Sequence, residues 1–204
     1  RLLVDGRTDS GANGVAVGPG STLSVVDPTA AADSLLHLQG FNLSTSGGNG
    51  LLLIGGQGGS ATQTLIRVQG AELKLEGQTN TQGSSIGVGL YGFGDFGSRG
   101  LQIDARQARP GATVTLSGTN NRGITDGHSY LFTHVAIAGP DDPGGKLELL
   151  GIGGRNTGLV GSLLSDVDIS TKAPFEALSD GFYFNQVKLQ GGGDISLRTR
   201  TGIG

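Results

Sequence analysis

The acidic residues best placed for chemistry are Asp166 and Asp168. They lie two positions apart in a strand-like segment, so both side chains are expected on one face of that strand. Paired carboxylates at such a separation are what glycosidases use. Val167 and Ile169 fit the inward positions of the same strand, however, which favours a solvated outer face for the two aspartates. The other acidic pair, Asp141-Asp142, is interpreted as a rigid loop tip, and no catalytic residue is predicted.

A group of arginines is the clearest candidate for a binding surface. Arg99, Arg106, Arg109 and Arg122 follow one another with Asp104 as the single acidic residue among them. If they lie on successive coils, they form a basic strip, and guanidinium groups match the anionic oxygens of sulfated or acidic glycans. The alternative is that these arginines are solvated and protect an exposed sheet from aggregation.

No metal or cofactor site is predicted. The histidines His37, His128 and His134 do not have the spacing of metal ligands. They are interpreted as ordinary surface or corner residues, with His37 pointing outward and His128 in a turn. Residues 153–158 are rich in glycine but lack the lysine of a phosphate-binding loop. Residues 191–194 resemble part of a calcium-binding nonapeptide, but such sites require tandem copies.

The composition narrows the classes of protein that the chain can represent. Its 204 residues include 40 glycines, well above the usual share of about 7%. Collagen is excluded because the chain has only six prolines and its glycines do not recur every three residues. The share of hydrophobic residues, 35%, argues against disorder. The absence of cysteine excludes disulfides and thiolate metal sites. A net charge of −3 disfavours nucleic acid as a partner. No run approaches the roughly 20 apolar residues of a membrane span.

Internal repeats supply the main signal for the fold. The pattern of residues 36–43 recurs thirty residues later in residues 66–73, with matching apolar positions and a shared Gln-Gly pair. A looser pattern, with a small bend between its apolar positions, begins at Phe132, Leu164 and Phe184. Glycine-rich corners and a second strand with a period of two follow most copies. Repeats of variable length are typical of a solenoid whose insertions collect at the corners.

These observations predict an all-β fold, a right-handed parallel β-helix in which residues 1–204 form one segment. A repeat of roughly 30 residues gives about seven coils and, at a strand spacing of ~4.8 Å, a rod about 30 Å long. Two segments depart from the pattern. Residues 87–100 predict a long loop with aromatic packing. Residues 173–181 predict an excursion from the rod, in which residues 173–178 form one helical turn with Pro174 near its start.

Residues 100–118 and 146–151 repeat the pattern of two alternating strands joined through a glycine-rich corner. In this pattern the chain resembles filamentous-haemagglutinin-type exoproteins, which are β-helical passengers exported by two-partner secretion. The resemblance implies a protein that is secreted or held on the bacterial cell surface and that meets an outer-membrane transporter during export. The amino-terminal secretion domain of that family carries Asn-Pro signatures, and this sequence contains no Asn-Pro pair. We therefore expect an internal rod segment of a longer protein.

The function expected from this resemblance is that of a non-catalytic adhesin or spacing rod. Its expected partner is a host or bacterial surface glycan or a receptor protein, and no cofactor is expected. One alternative is a carbohydrate-active β-helix enzyme that acts on an acidic polysaccharide. Another is a module that recognises a receptor through the segments at 87–100 and 173–181.

Overall fold

The computed structural model describes residues 1–56, 63–80, 85–93, 99–121, 127–153 and 161–199. These residues form sixteen β-strands and no helix. Strands β1 to β8 are Leu2–Thr8, Val15–Val17, Thr22–Val26, Leu35–Asn42, Leu51–Gly55, Thr64–Gln69, Glu72–Thr79 and Ile86–Gly92. Strands β9 to β16 are Leu101–Gln107, Thr113–Asn120, His128–Ala138, Lys146–Gly153, Ser162–Thr171, Phe175–Ser179, Phe182–Gly191 and Ile195–Thr199.

The strands form two parallel sheets. Sheet A has seven strands in the order β1-β4-β7-β10-β12-β14-β16. Sheet B has nine, with β2-β5-β8-β11-β9-β6-β3 along one path and β13 and β15 stacked after β11. The chain therefore passes through sheet A once in every coil and returns through sheet B. This arrangement is a parallel β-helix, so the predicted fold class is confirmed, and the seven strands of sheet A correspond to the expected number of coils.

Aliphatic side chains stack in the interior from one coil to the next. In sheet A, Leu36 pairs with Leu73, Leu73 with Val114, and Val114 with Leu147, and all four are fully buried. The alternation of buried and half-buried residues along β4, β7 and β10 is what a period of two requires. Each such side chain contributes about 1.5–3 kcal/mol through burial. Repetition of these layers forms a continuous core.

A row of glycines brings the two sheets together at one edge. Gly40 stacks on Gly77 and Gly77 on Gly118, all at the same register of sheet A. A Cβ atom added to Gly77 would lie 2.0 Å from the carbonyl oxygen of Gly87, at the start of sheet B's strand β8. Since no side chain fits in that space, the backbones of the two sheets are in direct contact. We call this row the glycine seam; its members are Gly6, Gly40, Gly77, Gly118 and Gly151.

The coils change shape along the rod. In the first three coils, sheet B receives two separate strands per coil, whereas β11 alone pairs with both β8 and β9. The long strands β11, β13 and β15 each bend at a non-glycine residue with a φ of 52°, namely His134, Asp166 and Gln186. The neighbouring pairs Thr133–Ser165 and Val135–Val167 place these bends directly above one another. The small bend predicted in the repeats beginning at Phe132, Leu164 and Phe184 is therefore present.

Three details of the sequence interpretation are wrong. Residues 173–181 do not form a helical turn outside the rod, because Phe175–Ser179 is strand β14 of sheet A. Residues 86–92, which overlap the predicted loop at 87–100, form strand β8 in the middle of sheet B. The predicted aromatic packing is seen between Tyr91 and Phe93, whose rings stack 6.4 Å apart. Residues 94–98 lie outside the described residues.

The interpretation of the thirty-residue repeat as one coil is also wrong. Residues 36–43 belong largely to β4 of sheet A, whereas residues 66–69 lie in β6 of sheet B. Leu36 stacks on Leu73 of the next coil, not on Ile66. The second copy therefore runs from β6 of the same coil into the start of β7 in the next coil, and the thirty-residue spacing does not measure the length of a coil.

Candidate functional site

The structure places three of the four candidate arginines in one coil. Arg99 lies two residues before the start of β9, Arg106 lies near its end, and Arg109 lies in the corner that follows. Arg122 lies outside the described residues. The strip predicted across successive coils is therefore wrong for the first three, since they follow the chain through a single coil. Their binding of an anionic glycan stays a prediction.

Arg99 is held by two carboxylates from a later coil. Its Nη1 lies 2.8 Å from Oδ1 of Asp166, and its Nη2 lies 3.0 Å from Oδ2 of Asp168. The side chains of Arg99 and Asp166 are only 14% and 6% exposed, while that of Asp168 is 45% exposed. The expectation of a solvated outer face is therefore wrong for Asp166. One guanidinium group binds both members of the acidic pair.

His134 completes this network from the coil between them. Its Nδ1 lies 2.7 Å from the second oxygen of Asp166. Both residues sit at the stacked left-handed bends, where the alternation of buried residues shifts phase and leaves Asp166 buried beside Val167. We call Arg99, His134, Asp166 and Asp168 the bend cluster. It was missed in the sequence because its arginine and its aspartates are far apart in the chain.

Arg106 forms a second ion pair at the opposite end of β9. Its Nε and Nη2 each lie 2.9 Å from an oxygen of Asp104, and Arg67 approaches the same carboxylate at 3.7 Å. Hydrogen bonding to Arg106 is the main cause that holds the pKa of Asp104 below its ordinary value. The Arg106 side chain nevertheless stays 58% exposed, so part of its surface faces solvent.

Arg109 is less exposed and is also paired. Its Nη2 lies 3.4 Å from Oε2 of Glu72, whose other oxygen lies 3.0 Å from Nζ of Lys74. The backbone N–H of Arg109 donates to the carbonyl of Ala71 at 3.1 Å. These contacts tie the corner after β9 to the start of β7. Each of the three described arginines thus has a carboxylate partner, which reduces its attraction for a free anion.

A cleft of about 270 Å³ opens beside Arg106, where the corners of successive coils stack. Arg106 and Lys172 lie on its lining together with the carboxylate-bearing Asp141. The Lys172 ammonium group is 3.4 Å from Asp141, and these two side chains are 68% and 46% exposed. The remaining lining residues are Ser170, Thr171, Gln190, Gly191 and Gly192. We call this the corner cleft, and of the three candidate arginines that the structure describes only Arg106 lines it.

His37, His128 and the two glycine-rich segments lie in other parts of the fold. His37 points outward, as expected, with its Nε2 2.7 Å from Oε2 of Glu76. His128 begins β11 and is buried, so the predicted turn or surface position is wrong for it. The corner at 191–194 joins β15 to β16, where the Asp194 carbonyl accepts a hydrogen bond from Phe175. Of the 153–158 segment, only Gly153 is described.

The described residues contain neither a metal-binding cluster nor a membrane-spanning helix. No group of three or more His, Cys, Asp or Glu side chains is arranged to hold a metal ion in this part of the chain. Among the same residues, no helix has the length and apolar character needed to cross a membrane.

Comparison with known proteins identifies no relative: no family model, no curated protein and no solved structure matches the chain.

Proposed function

We propose that this chain is a non-catalytic rod segment of a secreted bacterial surface protein and that it mediates attachment. The observation that carries the proposal is the unbroken parallel register of sheet A, which runs from β1 to β16. Stacked coils of this kind present one long side to their surroundings while each coil contacts only its neighbours. Such a shape serves reach and contact, and its strength comes from repeated layers.

The outer surface supplies the means of attachment. Outward positions of sheet A carry alternating polar and charged residues, such as Gln39, Glu76 and Ser117 in one row. Shallow troughs lie on this face and at the corners. Surfaces of this kind suit a glycan or a receptor protein on a host or bacterial cell. An outer-membrane transporter is the partner proposed for export of the parent protein.

The attachment function is tested with beads coated with the 204-residue chain. We expect the beads to adhere to host epithelial or bacterial cells more strongly than beads coated with an unrelated protein, and soluble chain to compete. Loss of adhesion after periodate treatment of the cells identifies a glycan partner, and loss after protease treatment identifies a receptor protein. Adhesion no greater than that of the control beads contradicts the proposal.

The second candidate function is that of a carbohydrate-active enzyme. The observation that favours it is the contact between His134 and the buried Asp166, with Arg99 on the other carboxylate oxygen. An aspartate that orients a histidine is an arrangement found in general acid–base catalysis. Incubation with uronic-acid and neutral polysaccharides, followed by measurement of new reducing ends, tests this alternative. Product release that is lost in His134→Ala supports the enzyme, and binding without product supports the rod.

A further inference from the structure

We propose that the corner cleft binds the hydroxyl groups of a neutral saccharide. This inference rests on the proposed attachment function, for which it names the class of ligand and the place of contact. It departs from the acidic glycan expected from the arginines alone.

Donors and acceptors are mixed in the cleft. Arg106 and Lys172 carry only hydrogen-bond donors, whereas the carboxylate of Asp141 carries only acceptors. Ser170 adds a hydroxyl and Gln190 an amide, each of which both donates and accepts. A sugar hydroxyl also donates one hydrogen bond and accepts others. The cleft therefore complements a row of hydroxyls better than it complements a group that only accepts.

Both cations of the cleft already have a carboxylate partner. Arg106 is paired through two contacts of 2.9 Å with Asp104, which lies outside the lining, and Lys172 is 3.4 Å from Asp141 within it. A sulfate or carboxylate that entered would compete with these partners, so its net attraction would be reduced. A neutral polyol avoids this competition and retains hydrogen bonds to charged groups, which are stronger than those between neutral groups.

Backbone hydrogen bonds fix the corners that carry these side chains before any ligand arrives. The N–H of Asp141 donates to the carbonyl of Arg106 at 3.0 Å, and the N–H of Lys172 donates to the carbonyl of Pro140 at 3.1 Å. One coil further on, Gly192 donates to Thr171 at 2.8 Å. Consecutive corners are thus joined in a ladder. A preorganised site loses less entropy on binding than a flexible one.

The size of the cleft limits the ligand. Its volume of about 270 Å³ is slightly below the range of about 300–1,000 Å³ that is usual for small-molecule sites. Such a space accommodates one or two sugar rings, and the rest of a chain would extend into solvent. The exposed side chains at its rim leave room for a longer oligosaccharide to enter from the surface.

The test uses the 204-residue chain on an array that carries neutral hexose and N-acetylhexosamine oligosaccharides beside sulfated and uronic-acid oligosaccharides. We expect binding to at least one neutral oligosaccharide, with less than about a twofold change between low and high salt because no net charge is neutralised. Lys172→Gln and Asp141→Asn should each weaken this binding about tenfold, the effect of losing a hydrogen bond to a charged group.

Arg7→Gln is the matched control. Like Lys172, Arg7 is an exposed cation that pairs with an aspartate, here Asp5 at 3.9 Å, but it lies on sheet A away from the cleft. Its binding should equal that of the unmodified chain. Neutral binding that survives both Lys172→Gln and Asp141→Asn, or a salt-sensitive preference for sulfated oligosaccharides, would overturn the inference.

The bead assay separates this inference from the attachment function. Beads that adhere to cells while the chain binds no neutral oligosaccharide overturn the saccharide site and leave attachment standing. Neutral binding that is weakened by the cleft variants, without adhesion of the beads, supports the site and overturns attachment.

Discussion

Gly77 of β7 faces Gly87 of β8 so closely that a Cβ on Gly77 would lie 2.0 Å from the carbonyl oxygen of Gly87. We predict that Gly77→Ala destabilises the chain by about 3 kcal/mol or more, since the clash is with backbone that cannot rotate away. The free energy of unfolding, measured by chemical denaturation, checks this. Gly18→Ala is the control, because its Cβ would meet nothing within 4 Å. That variant should change stability by less than about 0.5 kcal/mol. Equal losses in the two variants would refute the glycine seam.

In the bend cluster, Asp166 and Asp168 bind the same arginine but differ in their exposure to solvent. Asp166→Asn removes the buried charge beside Arg99 while keeping a residue that tolerates a positive φ. We expect a loss of about 2 to 3 kcal/mol, because Asp168 still neutralises part of the guanidinium charge. Asp168→Asn, at the half-exposed carboxylate, should cost about 1 kcal/mol or less. Urea denaturation of both variants measures the difference. A larger loss in Asp168→Asn would contradict the burial seen in this cluster.

The stacking of long strands in sheet B was predictable from local pattern. Phe132, Leu164 and Phe184 begin the same pattern of apolar positions in the sequence, and they do stack on one another. The gap of two residues inside each pattern also signals the bend. Inward positions on its two sides follow opposite phases, and in these strands the left-handed residue between them reconciles the phases.

The position of Asp166 was harder to obtain from sequence. Side chains along a strand alternate between inward and outward positions. If Val167 is inward, its neighbour Asp166 is outward; if Leu164 is inward, Asp166 two residues later is inward. The second alternative gives the observed result, because the phase shifts at the bend and leaves both Asp166 and Val167 buried. Its partner Arg99 is far away in the sequence, and no local pattern joins the two residues.

The match between residues 36–43 and 66–73 failed for a general reason. Every strand of a β-helix carries the same alternation, so likeness between two strands does not tell which of them stack. The glycine seam was missed for the same reason. Glycine was assigned to corners, but Gly40, Gly77 and Gly118 lie within strands, where the need for them arises from the opposite sheet.

The corner cleft could not be read from the sequence either. Arg106 was singled out because arginines cluster along the chain near it, while Lys172 stands among uncharged neighbours. The two residues line one space because the corners of successive coils stack. Insertions of different length hide that alignment in the sequence, and only the strand register restores it.

A lysine separates two stacked carboxylates on sheet A. Glu148 and Glu176 are direct neighbours on adjacent strands, and Nζ of Lys146 lies 2.5 Å and 2.7 Å from them. These contacts raise the pKa of Lys146. We predict that Lys146→Ala costs about 1 kcal/mol, less in high salt, because it leaves like charges facing each other. The double variant Lys146→Ala with Glu148→Gln should recover part of this loss in a double-mutant cycle. Strict additivity of the two changes would refute the bridge.

The loop after β3 contains a carboxylate that should govern stability in acid. Asp27 accepts hydrogen bonds from the N–H groups of Thr29 and Ala31, both at 2.9 Å, and from the hydroxyls of Thr29 and Ser34. The Ser34 hydroxyl is the largest of the causes that hold the pKa of Asp27 well below its ordinary value. Its folded-state pKa is therefore lower than its unfolded-state pKa.

A depressed pKa has a definite consequence for the pH dependence of unfolding. The stabilisation from Asp27 is fully present above its unfolded-state pKa of about 3.9, and it is lost as the pH falls through the folded-state value. We predict that Asp27→Asn is less stable than the unmodified chain at neutral pH and that the difference shrinks progressively below about pH 4. Denaturant unfolding followed from pH 7 down to pH 2 measures this convergence. Asp33→Asn, at an exposed carboxylate of the same loop, is the control. A difference between Asp27→Asn and the unmodified chain that stays constant with pH would refute the role of the charge.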